Sequence, residues 1–210
     1  ERAGWLARDR GELLHRIRDQ SVELQRPREA QIAGLNSSQM AVLDTADIRA
    51  LGTSQVAALT EAQVVGLTSL QLGALASEQV QALDASDVGA LSTAAVRGFT
   101  TVQTQALNTQ QIAALTESQV SVLSSAQLSV LSTLQMTAFE AVDLAALSTA
   151  SIVGLSTAQI HALSTGQISA LTAEQLAAME TRDLVTLETE QIVALTLAQV
   201  RALSSAQIAA

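Results

Sequence analysis

Along most of the chain a large apolar residue returns every eight positions. The series runs Leu35, Leu43, Leu51, Leu59, Leu67, Leu75, Leu83, Leu91 and onward to Leu195 and Leu203, with Phe99, Phe139 and Met179 standing in for Leu. If each octad is numbered to end on this residue, full units extend from 28–35 to 196–203, and a remnant, Ser204 to Ala210, follows. Position one is mostly Ser, Thr, Asp or Asn, as in Asn36, Asp44, Thr60 and Ser124. Position four is Gln in most units, with Asp at Asp47, Asp87, Asp143 and Asp183. Position five is Ile, Val, Leu or Met everywhere except Thr104, and position seven is small, usually Ala. The consensus is S/T-S/T-x-Q-I/V-x-A-L.

This spacing encodes a helix start. A Ser or Thr followed three residues later by Gln is the capping box: the hydroxyl accepts from the N3 amide, and the Gln side chain returns to the N–H of the cap. The preceding Leu and the Ile or Val at position five then occupy the N′ and N4 sites of a hydrophobic staple. Because the next start arrives eight residues later, each helix is limited to about two turns. The pattern predicts an all-α solenoid, or superhelix, of about 22 capped mini-helices joined at tight corners. Three rivals compete with it. In one continuous helix the Leu row would spiral around the surface and leave no single face to bury. A β-solenoid would favour β-branched and aromatic residues over Ala and Gln. The third is a bundle of longer helices.

A single octad cannot fold alone, since burying one Ile, one Leu and one Ala returns far less than ordering eight residues costs. Stability is expected from coils stacked so that their apolar rows form one interior, with the small seventh residue allowing close approach of backbones. The number of octads per coil is not fixed by the pattern. Phe99, Phe139 and Met179 recur at five-octad intervals, and Glu140-Ala-Val-Asp143-Leu reappears as Glu180-Thr-Arg-Asp183-Leu. That interval has three readings: a duplicated block, a return to an equivalent place in the superhelix, or chance.

Residues 1–27 break the repeat. Trp5, Leu6, Leu13, Leu14, Ile17 and Leu24 recur at helical intervals among Arg, Asp and Glu, and Pro27 stops the run. We therefore expect two domains. The first, 1–27, is an N-terminal amphipathic capping helix, with a partner-binding or membrane-surface helix as the competing reading. The second, 28–210, is the octapeptide-repeat α-solenoid. The pattern stops at Ala210, where the next residue should be a Leu, and begins at Glu1 rather than Met, so a piece of a longer repeat tract is expected.

Composition removes most chemistry. Aromatic residues make up 1% of the chain, and Cys is absent, which excludes a disulfide framework and a cysteine zinc site. The net charge of -9 argues against nucleic acid as a partner. No apolar run reaches the length of a membrane span, and no signal-peptide pattern is present. All eleven cations are Arg. The lack of Lys has two readings, a GC-rich coding bias or avoidance of lysine modification in a protein delivered into a host cell.

The two His, His15 and His161, are expected at exposed positions. The Asp residues at 47, 87, 143 and 183 are expected to serve the helix dipole at N3 rather than to hold calcium. Glu188 and Glu190 form the densest acidic pair, with no cleft to raise a pKa. No phosphate loop, nucleophile elbow or dinucleotide fingerprint occurs. The expectation is a protein that is not an enzyme and has no catalytic, cofactor-binding or metal residues.

Leu59-Thr-Glu-Ala-Gln63-Val-Val-Gly-Leu67 looks like the opening of the repeat in transcription-activator-like effectors, but that likeness covers nine residues. Those proteins use a longer period and a basic groove, so it reads as convergence on one capping pattern. The octads as a whole, residues 28–210, resemble the Ser/Thr/Ala/Gln/Leu-rich repeat tracts of very large bacterial surface or secreted, adhesin-like proteins. The resemblance implies a structural spacer of a larger protein located at the bacterial surface or secreted. The alternative is a secreted, effector-like scaffold whose solenoid binds a protein partner. In that case the apolar replacements Leu70, Leu134 and Leu197 should gather on one face.

Overall fold

Each octad becomes one short helix because its first residue starts the helix and its last residue ends it. The structure is a computed structural model that describes residue 32 and residues 34–209. Among these residues are 22 α-helices of four to six residues, from Ser37–Val42 to Ser205–Ile208, and no strand. The all-α solenoid expected from the octads is the observed architecture. The expected capping helix at 1–27 lies outside the described residues.

The capping box forms as the spacing predicts. At Asn36 the backbone N–H donates to Gln39 Oε1 over 2.9 Å, and the Gln39 N–H donates back to Asn36 Oδ1 over 3.0 Å. Gly52 and Ala76 offer no side-chain acceptor, and there the Gln half of the box stands alone, at 2.8 Å to Gln55 and 2.6 Å to Gln79. A helix that runs six residues is closed by a Leu in extended conformation, as at Leu43 (φ -61, ψ 141), and the next cap is extended as well. Two extended residues in succession turn the corner. No described residue needs a positive φ, so the corner requires no left-handed glycine.

Positions five and eight build one continuous core. Met40, Ile48, Val56, Val64 and Leu72 continue the buried row at position five, and Leu59, Leu67, Leu75 and Leu83 the row at position eight. Phe99, Phe139 and Met179 are buried in the second row like the leucines they replace. Thr104, the exception at position five, is buried too, and its hydroxyl donates to the Thr100 carbonyl over 2.9 Å.

Coils stack with a fixed offset. Helix Ser69–Ala74 packs on Thr45–Arg49 and Thr93–Val96, and the same third-neighbour rule holds along the described chain. Glutamine side chains meanwhile reach back four octads, from Gln63 to Leu35 for example. One turn of the coil therefore takes between three and four octads. The five-octad interval of Phe99, Phe139 and Met179 is not a turn of the coil. Since each helix meets only its neighbours one coil before and after, the molecule extends along a single axis.

Close approach at position seven is real at a few places. A Cβ on Gly98 would overlap the backbone of Ser69, 2.6 Å from its Cα, whereas a Cβ on Gly166, at position three, would find nothing nearer than Ser164 Oγ at 3.9 Å. We predict that Gly98→Ala lowers stability by about 1–3 kcal/mol through overpacking. Gly166→Ala should raise it by about 0.5–1 kcal/mol through helix propensity. Thermal melts of the two variants beside the parent test both signs.

Candidate functional site

Helices this short consist almost entirely of ends. The first four amides and last four carbonyls of any α-helix lack partners within it, so a helix of five residues pairs very little of its own backbone. Side chains must complete the rest, and the position-four Gln does so at both of its polar atoms. Gln111, 1% exposed, shows the arrangement. Its Oε1 accepts from the Asn108 N–H at 2.9 Å, which caps its own helix. Its Nε2 donates to the carbonyls of Val80 and Leu83, both at 2.8 Å, which caps the end of a helix four octads earlier.

Every position-four Gln from Gln63 to Gln207 donates in this way to the carbonyl 28 residues before it. The first rung joins Gln63 to Ile32 and Leu35, and the last joins Gln207 to Ala177 and Met179. This inter-coil ladder was missed by the sequence reading, which assigned Gln only to its own capping box. The choice of Gln over Glu was the available signal. Either residue serves the box, and a carboxylate suits a helix N-terminus better, so a persistent amide indicates that its NH2 is in use.

Four positions vary the rung instructively. Ser151 keeps part of it, since its Oγ reaches the Leu123 carbonyl over 2.9 Å and lies 2.8 Å from Ser148 Oγ. Asp183 takes a bond from the hydroxyl of Thr157, at 2.7 Å, and Arg182 lies 3.9 Å away. Asp87 and Asp143 have no such donor among the described hydrogen bonds, although both are buried. Burial pushes the carboxyls of Asp87 and Asp143 above the ordinary aspartate range, and like charges at Asp84 and Glu61 around Asp87, and at Glu140 and Glu117 around Asp143, push the same way. The dipole explanation expected for these positions is therefore incomplete: only Asp47 is an exposed N3 carboxylate.

The remaining surface features are sparse. His161 is half exposed, and its Nε2 lies 3.1 Å from Glu188. His15 lies outside the described residues. A shallow groove of about 640 Å³ runs across three stacked helices and is lined by Arg49, Leu70, Gly73, Arg97 and Gly98 among others. Leu134 and Leu197 are exposed on helices Thr133–Thr137 and Leu197–Ala202, neither of which is a packing partner of Ser69–Ala74. The three leucines are not brought together. Among the described residues no group of three His, Asp or Glu side chains is placed to hold a metal, and no helix is long and apolar enough to cross a membrane.

The profile of the ALTTAQ repeat matches residues 40–77, 80–117, 136–173 and 176–210, together more than half of the chain. Its six letters follow the octad from position seven to position four, as in Ala194-Leu195-Thr196-Leu197-Ala198-Gln199. No curated protein and no solved structure matches the chain.

An isosteric change separates the two uses of the glutamine. Gln111→Glu keeps an acceptor for the Asn108 N–H and removes the donor to Val80 and Leu83. We expect a loss of about 2–4 kcal/mol at neutral pH, read by urea unfolding, against little change for the adjacent exposed Gln110→Glu. Equal effects would show that the bonds to Val80 and Leu83 contribute nothing.

Proposed function

Because the chain belongs to the ALTTAQ repeat family, we propose that it works as a non-enzymatic structural module that holds other parts of a larger protein apart. The observation that carries this reading is the unbroken register of the ladder. From Gln63 to Gln207 every glutamine rung spans the same 28 residues, and no insert that could house a separate site interrupts the octads. A repeat with these properties gains length by adding units and keeps its cross-section, which is what a spacer requires. The setting we assign is a bacterial surface or secreted protein. Its support is the likeness of the octads to the Ser/Thr/Ala/Gln/Leu-rich tracts of such proteins.

A scaffold that binds a protein segment is the second reading. It is favoured by the groove at Leu70, where Arg49 and Arg97 make no salt bridge among the described residues. The groove is local to three helices, whereas the ladder runs the length of the described octads. The spacer is therefore the preferred function.

Small-angle scattering checks the proposal on its most direct physical property. The expected profile is that of a rod, with a radius of gyration well above the roughly 17 Å of a globule of this length. A compact particle near that value would refute the spacer.

A further inference from the structure

At Asp87 the ladder places a carboxyl group where the other coils place an amide donor. Counting back 28 residues along the ladder, the carbonyl at this rung is that of Leu59. Asp87 is 3% exposed, and its Oδ2 is buried without any hydrogen-bond partner. Beyond a backbone hydrogen bond at Asp84, the start of its own helix, the neighbouring charged groups are all acids. Its helix, Ala85–Ala90, packs on Glu61–Val64 and Thr109–Ala113. The titratable groups on these elements and at the cap are Glu61 and Asp84, with no cation among them. The burial and the acidic neighbours recur 56 residues later, whereas the unpartnered oxygen is that of Asp87. Asp143, also buried, sits on Ala141–Ala146 between Glu117–Val120 and Thr165–Ala170, and faces Glu117 and Glu140 with no cation on those elements.

What each rung lacks is a hydrogen that can be donated. An ionised carboxylate has no hydrogen to give the carbonyl beneath, and at Asp87 it leaves Oδ2 without a partner, which is costly in a buried place. A carboxylic acid has one O–H to give. Reach is sufficient, because the shorter Ser151 side chain meets its own carbonyl, that of Leu123, 28 residues back, over 2.9 Å. Asp183 marks the contrast, since there the hydroxyl of Thr157 stands where Glu61 and Glu117 stand beside the other two and bonds the carboxylate directly.

We propose that Asp87 and Asp143 are proton-binding sites of the ladder, each taking up one proton and then donating it to the carbonyl of the coil beneath, so that acid tightens the rod. The raised affinity of both carboxyls for protons agrees with this. The sign follows from linkage. A group that binds its proton more tightly when folded contributes stability that is complete below the ordinary aspartate value, about 3.9, and is lost as pH rises through the higher folded value.

The experiment compares melting temperatures of the parent, the double variant D87Q D143Q and the exposed control E174Q, in dilute solution from about pH 4 to about pH 8. A carbon-13 titration of the two carboxyls accompanies it. The Gln variant supplies a permanent donor, so it should melt about 2–4 °C or more above the parent at the alkaline end. The gap should shrink toward the acid end, and E174Q should follow the parent's pH dependence. The carboxyl carbons of Asp87 and Asp143 should titrate above the ordinary value. Parallel curves for the parent and the double variant, or carboxyls that titrate at or below the ordinary value, would overturn the proposal.

Discussion

The structure depends on one side-chain amide being used at both of its polar atoms. A solenoid made of helices of four to six residues has more unpaired backbone groups than any ordinary helical fold, and its corners come too often for helix propagation to help. The position-four Gln meets this constraint by accepting from the start of one helix and donating to the end of another. The apolar rows then hold the coils together without regard to register, and the ladder supplies the register. Burial is non-directional, whereas two hydrogen bonds to fixed carbonyls admit a single offset.

Much of this was legible in the chain because the information is local. Cap, N3 residue, staple and corner all lie within eight residues, and the capping-box rule reads them directly at Asn36 and Gln39 as at Ser204 and Gln207. The offset between coils was not legible. The bonds that set it join Gln111 to Val80 and Leu83, and nothing in the identity of a Val or Leu announces that its carbonyl is an acceptor. The five-octad recurrence of Phe99, Phe139 and Met179 was misleading for a related reason. These residues differ from Leu in size, but they occupy the same buried row at every point of the coil, so their spacing carries no record of where the coil turns.

The departures from the consensus show which features the fold tolerates. Ala95 is fully buried at a ladder position and has no side chain to donate, yet the core continues through Val96 and Phe99. Thr104 inserts a hydroxyl into the apolar row and satisfies it within its own helix. Ser151 retains one inter-coil bond with a side chain that is too short for two. Each departure is absorbed locally, because a helix touches only the coils directly before and after it. Stability in such an array is close to a sum over neighbouring interfaces. One weak rung therefore lowers the total without breaking the register on either side.

The same locality explains why acids are admitted at some rungs and what they do there. At Asp47 the carboxylate is exposed, and the positions 26 and 28 residues earlier lie outside the described residues. At Asp183 a threonine of the coil beneath has taken over the role of donor, and the direction of the bond is reversed: the hydroxyl gives and the carboxylate receives. At Asp87 the corresponding residue is Glu61, which can give nothing when ionised, and Oδ2 remains without a partner. A single position of the octad thus carries distinct environments, and between Asp87 and Asp183 the difference lies in the residue 26 positions earlier, Glu61 or Thr157. The repeat fixes where the side chain lies, and the coil beneath decides what chemistry that place permits.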